Sequence, residues 1–121
     1  MQFQDLLAYK KSFALAMKIF NSSKSFPKEE KYSLTDQIRR SSRSVSANIA
    51  EAYRKRSYPK LFVSKLTDSD AENSETQTWL EFAFKCDYID QITFNDFIKD
   101  SEEVGKLLNY MINNPSKFGS N

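Results

Sequence analysis

The chain has no histidine, and its 121 residues include only one cysteine, two glycines and three prolines. Without histidine, nucleophilic triads, the common zinc sites and the Glu-x-x-His pairs of di-iron bundles all lack a required residue. Two isolated glycines cannot build a phosphate-cradling loop. The single cysteine excludes an intramolecular disulfide, and we expect Cys86 to be buried as a small apolar residue at a helix end. The sequence therefore predicts no catalytic residue, no metal ligand and no cofactor.

Turn-forming residues and long apolar runs are also scarce. The N-terminal segment lacks the basic-then-apolar pattern of a signal peptide, and no run approaches the ~18 apolar residues that a membrane span needs. With 14% aromatic and 28% charged residues, the chain predicts one domain over residues 1–121, with few long elements around one core. A lone cysteine is compatible with a reducing compartment, so we expect a cytoplasmic protein.

Hydrophobic periodicity predicts four helices and no strand. The helices cover about 5–24, 34–56, 60–85 and 93–112. Their predicted N-caps are Ser33, Ser57 and Thr93. Four helices of such length with short connections indicate an all-α, antiparallel up-down-up-down four-helix bundle.

The predicted inner faces differ from helix to helix. The second helix has the clearest stripe, with steps of three and four between Leu34, Ile38, Ser42, Val45, Ile49 and Ala52. The first helix is predicted to turn inward Leu6, Phe13, Met17 and Phe20. The third has a polar middle, Thr67 to Thr78, so small and polar groups must form its inner face. Asn48 is expected to be a buried hydrogen-bonding group between helices.

Charge is strongly polarised along the chain, although the formal net charge is only +2. Residues 1–65 hold 14 Lys and Arg against 5 Asp and Glu, whereas residues 66–103 hold 2 against 11. The two halves either neutralise each other, within a bundle or across a subunit contact, or present a basic face to nucleic acid.

Seven basic side chains on the second helix and the corner after it are candidate phosphate contacts, because several such groups give salt-dependent affinity for nucleic acid. They are Arg39, Arg40, Arg43, Arg54, Lys55, Arg56 and Lys60. The alternative is that the helix arginines pair with Glu51, Glu75 or other third-helix acids, and that the corner is merely solvated.

A competing interpretation is a magnesium-dependent nucleotide pyrophosphohydrolase. Two acid-x-x-acid pairs, Glu72 with Glu75 and Asp100 with Glu103, lie on the predicted third and fourth helices, and such oxygen ligands suit magnesium.

The aromatic residues outside the main hydrophobic stripes have two possible explanations. Tyr9, Tyr53, Tyr58 and Trp79 indicate either scattered exposure or an oligomer interface.

The order of motifs resembles the bacterial four-helix-bundle family first noticed as products of intervening sequences in large-subunit ribosomal RNA genes. The resemblance lies in FQDLLAYKKSFALAMKIF, in FPKEEKYSLTDQIRRSSRSVSANIAEAYRKR, and in ETQTWL followed by Cys86 to Ile89. The family includes the accessory protein of diversity-generating retroelements, a ring-shaped homopentamer that works with a reverse transcriptase and nucleic acid. The family usually has a glycine where this chain has Ala52, and a Gly-Ser pair in the third helix where it has Ala71 and Glu72, so the chain departs from the family pattern at both places.

The resemblance implies a homopentamer, with RNA or DNA and a reverse transcriptase as further partners, and it supplies no catalytic residues. We therefore predict a non-enzymatic, nucleic-acid-binding or scaffolding accessory protein that acts as a homo-oligomer. The alternatives are a pure protein-interaction scaffold and, behind it, the nucleotide hydrolase.

Overall fold

The computed structural model describes all 121 residues and contains four α-helices and no strand. The helices are α1 (Leu7–Ser23), α2 (Leu34–Arg54), α3 (Pro59–Lys85) and α4 (Gln91–Asn113). Short 3₁₀ turns cover Phe3–Asp5, Lys28–Glu30 and Pro115–Phe118. The predicted all-helical fold is confirmed, and the observed helix bounds lie within about two residues of the predicted ones.

Neighbouring helices run antiparallel, as their cross-contacts show. Between α2 and α3, Ser41 bonds to Thr76 while Val45, further along α2, accepts from Ser69, which lies earlier on α3. Each helix packs on its two neighbours in the square, so α1 contacts α2 and α4, and α3 also contacts α2 and α4. The connections comprise residues 24–33, 55–58 and 86–90, and Pro59 occupies the first position of α3, where proline is tolerated. The arrangement is an up-down-up-down bundle.

The interior consists of two apolar clusters rather than the single core that the sequence predicted. One end of the bundle is filled by a cluster that includes Ile49, Phe62 and Leu108. The other end is filled by a cluster that includes Ile38 and Leu80. The clusters are separate because buried hydroxyl and amide groups occupy the middle of all four helices.

This polar layer satisfies its own hydrogen bonds. The Asn73 amide donates to the Ser101 carbonyl at 2.9 Å, and the Ser101 hydroxyl donates back to the Asn73 side-chain oxygen at 2.9 Å. The hydroxyls of Ser12 and Ser46 join α1 to α2 at 2.8 Å. The Ser69 hydroxyl donates to the Val45 carbonyl at 2.7 Å. Buried polar groups that find partners avoid the desolvation cost of unpaired ones, so the predicted polar inner face of α3 is stable in the core.

The stripe predicted for α2 is buried, but the face predicted for α1 is wrong apart from Leu6. Phe13 and Met17 are 50% and 46% exposed, and Phe20 is half-buried. The neighbouring positions Ser12, Ala16 and Ile19 point inward instead. Small side chains at the contact let α1 approach α2 closely enough for the Ser12–Ser46 hydrogen bond, and Leu15 and Ile19 fill the core in place of Phe13 and Met17.

The predictions for Asn48 and Cys86 are also wrong. Asn48 is only half-buried and makes no side-chain hydrogen bond to another helix. The buried amide that does bond between helices is that of Asn73, on α3. Cys86 is exposed as the residue that caps the C-terminus of α3, since the chain turns there through Asp87 at a φ of 62°. A side chain in that turn lies beyond the end of the helix and cannot pack into the core.

Ser33 occupies the N-cap position of α2 as predicted, although its hydroxyl does not cap the helix, and the predicted N-caps Ser57 and Thr93 need correction. The backbone N–H of Leu34 donates weakly to the Glu30 carboxylate at 3.4 Å, and the Ser33 hydroxyl bonds to that same carboxylate rather than capping the helix. Asp90, not Thr93, caps α4 by accepting from the Thr93 backbone N–H at 2.8 Å. Ser57 also lies outside its helix, whose N-cap position is Tyr58. A carboxylate accepts these hydrogen bonds more strongly than a neutral hydroxyl does.

Candidate nucleic-acid interface

Part of the charge polarity is neutralised between helices. Lys11 pairs with Glu103 on α4 at 3.0 Å, and Lys18 reaches Asp100 at 2.8 Å. The hydrogen bond to Asp100 is the main cause of the raised pKa of Lys18. These ion pairs are solvent-exposed, so they contribute little to stability. They remove Lys11 and Lys18 from the set of free cations, whereas Lys10 has no carboxylate within ion-pair distance.

Of the seven predicted phosphate contacts, only Arg40 is paired with carboxylates. Its guanidinium lies 2.6 Å from Glu75 and 3.5 Å from Glu72, both on α3. The hydrogen bond to Glu75 is the first cause of the raised pKa of Arg40. For this residue the structure supports the alternative of internal neutralisation.

Arg39 and Arg43 have no carboxylate partner within ion-pair distance and converge with Lys24 on one aromatic ring. The guanidinium carbons of Arg39 and Arg43 lie 4.7 Å and 5.4 Å from the centroid of Phe20, and the Lys24 ammonium lies 4.9 Å from it. Arg39 also donates to the Ser23 hydroxyl at 2.8 Å. Cation–π contacts orient these groups without cancelling their charge. Three cations around one ring form a positively charged surface that favours an anion, and Phe20 and Lys24 were not predicted as part of it.

The corner between α2 and α3 holds the second predicted patch. Arg54, Lys55, Arg56 and Lys60 make no ion pair in the structure. Arg56 is held in place, because its Nε donates to the Tyr53 carbonyl at 2.8 Å and its guanidinium lies 3.6 Å from the centre of the Tyr53 ring. A polar hollow of ≈ 380 Å³ beside it is walled by Arg54 and Arg56. Two of the four corner cations, Arg54 and Arg56, therefore line a concave surface, whose lining also includes Tyr53 and the N-terminal residues 1–4.

The two acid-x-x-acid pairs do not come together. Glu72 and Glu75 face Arg40, while Asp100 and Glu103 bind lysines of α1. No group of three or more His, Cys, Asp or Glu side chains has the proximity that a metal site needs. These carboxylates are engaged in cross-helix ion pairs instead.

The surplus aromatic residues do not share one surface. Tyr53 is buried within the bundle, Tyr9 and Trp79 are half-buried, and Tyr58 is exposed. A separate apolar groove of ≈ 380 Å³ runs between α1 and α2, with Phe13 and Met17 on one side and Arg43 on the other. This α1–α2 groove is an exposed apolar surface that the sequence did not predict, because hydrophobic periodicity placed Phe13 and Met17 on the inner face of α1.

The fold and the surface together define a class of protein: a small antiparallel four-helix bundle whose candidate site is a basic exterior rather than a cleft lined with reactive groups. None of its helices combines the length and apolar character required to cross a bilayer. The protein belongs to the 23S rRNA-intervening sequence protein family, whose model matches residues 4–110.

A solved structure supports the same assignment. The chain is similar to a Bacteroides thetaiotaomicron protein described as one of unknown function from the S23 ribosomal protein family, with 34% sequence identity and a TM-score of 0.81. The match covers 91% of this chain and 98% of that chain. A comparison with curated proteins gives no match. Neither the family description nor that of the solved structure indicates an enzyme.

Proposed function

We propose that this protein is a non-enzymatic, cytoplasmic accessory factor that assembles from copies of itself and binds nucleic acid through the basic surface of α2 and the following corner. One observation carries the proposal. The bundle neutralises the α1 lysines Lys11 and Lys18 and the α2 residue Arg40 with its own carboxylates, yet it leaves Arg39, Arg43 and the corner without acidic partners.

This distribution favours a polyanionic partner over a purely solvated surface. Free cations distributed along α2 and its corner can neutralise several phosphates and release their counterions, which is the main source of sequence-independent affinity. Arginines that are oriented by an aromatic ring or a carbonyl lose less side-chain freedom when they bind.

We further propose that a second copy of the chain covers the α1–α2 groove. The groove is lined mostly by apolar residues, and α3 exposes the apolar side chains of Leu61 and Phe82 that such a groove can bury. A contact between two different surfaces is heterologous, and repeating it closes a ring when the rotation permits. The family resemblance implies that this ring has five members.

The experiment is fluorescence anisotropy with labelled RNA and DNA at two salt concentrations. The variant Arg54→Gln, Lys55→Gln, Arg56→Gln, Lys60→Gln removes the corner charges, and Lys11→Gln, Lys18→Gln is the matched control whose cations are already paired. We expect the corner variant to bind more weakly and with a shallower salt dependence, about one unit of slope per lost phosphate contact. The control should stay near the wild type.

The outcomes separate the functional alternatives. If the wild type binds neither polymer at low salt, the protein-interaction scaffold becomes the better account, and the α1–α2 groove is the surface that favours it. If the corner variant and the control weaken binding equally, the pairing argument is wrong. Light scattering tests assembly, and a species of only 14.1 kDa at micromolar concentration contradicts it.

A further inference from the structure

A second groove, of ≈ 570 Å³, lies along the N-terminal half of α2 and the turn before it. Lys31 and Tyr32 of that turn form one end, and Thr35, Arg39 and Arg43 of α2 continue the wall. We call this surface the α2 groove. It is separate from the corner patch, and neither the family description nor the sequence motifs assign a role to Tyr32 or Thr35.

Tyr32 is the most exposed tyrosine of the chain, and it has no packing role in the bundle. Its side chain is 85% exposed, and it belongs to neither apolar cluster. The Lys31 ammonium lies 5.3 Å from its ring centroid. An exposed aromatic ring beside cations has the features of a stacking surface for a nucleic-acid base.

Thr35 adds an independent observation. It is only 8% exposed, and its hydroxyl is buried without any hydrogen-bond partner. By contrast, Thr76 satisfies its hydroxyl with the Glu72 carbonyl at 2.9 Å. A buried hydroxyl without a partner is costly and requires an explanation, and rotation of the Thr35 side chain toward the groove that it lines would let a ligand supply the missing bond.

The charges of the α2 groove favour an anion. Lys31, Arg39 and Arg43 have no carboxylate within ion-pair distance, and Arg40 is already held by α3. Asp36 is the one carboxylate in the wall and is itself unpaired. Three free cations against one acid leave the wall positive.

We propose that the α2 groove holds a single-stranded segment of nucleic acid, with an unpaired base stacked on Tyr32 and its phosphates bound by Arg39, Arg43 and the Thr35 hydroxyl. A duplex cannot satisfy this arrangement, because its bases are stacked on one another and present only their edges. This inference rests on the proposed nucleic-acid binding and adds the form of the ligand to it.

The test compares an unstructured single strand with the matching duplex by anisotropy at one salt concentration. We expect the wild type to prefer the single strand. Tyr32→Ala should weaken single-strand binding about tenfold and leave duplex binding unchanged, because one stacked base contributes roughly that much. Tyr32→Phe keeps the ring and should bind like the wild type. Tyr110→Ala, which alters a tyrosine on α4 that is 47% exposed, is the control.

Thr35→Val gives a second test with opposite signs. Removing a buried hydroxyl that lacks a partner should raise the melting temperature, while the loss of a phosphate contact should weaken single-strand binding a few-fold. A threonine with a merely structural role would not change affinity.

The results also distinguish this inference from the broader proposal. Equal binding of single strand and duplex, with Tyr32→Ala behaving like the wild type, overturns the stacked-strand inference and leaves nucleic-acid binding intact. A wild type that binds neither form overturns both. Equal weakening by Tyr32→Ala and Tyr110→Ala also refutes a role specific to Tyr32.

Discussion

Replacing Asn73 by alanine should destabilise the protein far more than the same change at Asn48. Asn73 is 3% exposed and makes two reciprocal hydrogen bonds with Ser101, which is fully buried. In the variant, the Ser101 hydroxyl loses the acceptor for its proton, although its oxygen still accepts from Gln77 at 2.9 Å. The prediction therefore rests on one orphaned donor and on the volume that the amide vacates.

The size of the effect follows from these losses. A buried donor left without a partner costs ~1–3 kcal/mol, and the better helix propensity of alanine returns ~0.5 kcal/mol. We expect a net loss of about 2 kcal/mol in the free energy of unfolding. For a chain of this size, that corresponds to a fall of roughly 6 to 12 °C in melting temperature.

Urea and thermal unfolding followed by circular dichroism measure this loss. Asn48→Ala is the matched control, because Asn48 is half-buried and lacks an interhelical hydrogen bond, and it should stay within ~0.5 kcal/mol of the wild type. Ser101→Ala and the double variant complete a cycle in which the double loss is smaller than the sum of the single losses. Equal losses at Asn73 and Asn48, or strict additivity in the cycle, would refute the reasoning.

Three further predictions concern groups near the ends of the helices. Hydrogen bonds from the Ser33 hydroxyl and then the Tyr88 hydroxyl lower the pKa of Glu30 in the folded protein. The ionised Glu30 carboxylate therefore stabilises the fold above its ordinary pKa of 4.5, and this stabilisation is lost as the pH falls through the lower pKa of the folded state. Glu30→Gln should flatten this acid loss in pH-dependent melting curves. The hydrogen bond to Glu30 raises the pKa of Tyr88 to about 12, so ultraviolet titration should show one late phenolate, which returns toward 10.0 in the same variant. Exposed Cys86 should react with a thiol reagent in the native state, and reaction only after unfolding would contradict its position at the end of α3.

Much of the fold could be predicted from periodicity, because α2 has a strong apolar stripe and each connection carries few residues. The inner face of α1 could not. Its sequence offers two adjacent faces, one with Phe13 and Met17 and one with Ser12, Leu15 and Ile19, and both carry apolar bulk. The inward face is the one that also brings Ser12 to the Ser46 hydroxyl on α2, and that contact is not local to α1.

The candidate site could be predicted only in part for the same reason. Composition identified the arginines, but whether a cation is free depends on which carboxylates the packing brings near it. Arg40 and Arg43 are three positions apart on α2, yet only Arg40 reaches the acids of α3. The buried hydroxyl of Thr35 had no sequence signal at all, since threonine is ordinary in the first turn of a helix.

The polar layer also controls how the helices are aligned along their axes. Apolar contacts are nearly non-directional, so an all-aliphatic seam between α2 and α3 would tolerate a slide by one turn, about 5.4 Å. Here such a slide would separate Ser41 from Thr76 and Ser69 from the Val45 carbonyl, leaving buried groups unpaired. The serines thus fix the axial register of the two helices. Because Arg40 meets Glu75 only in that register, the same hydrogen bonds determine which α2 arginines remain unpaired on the surface.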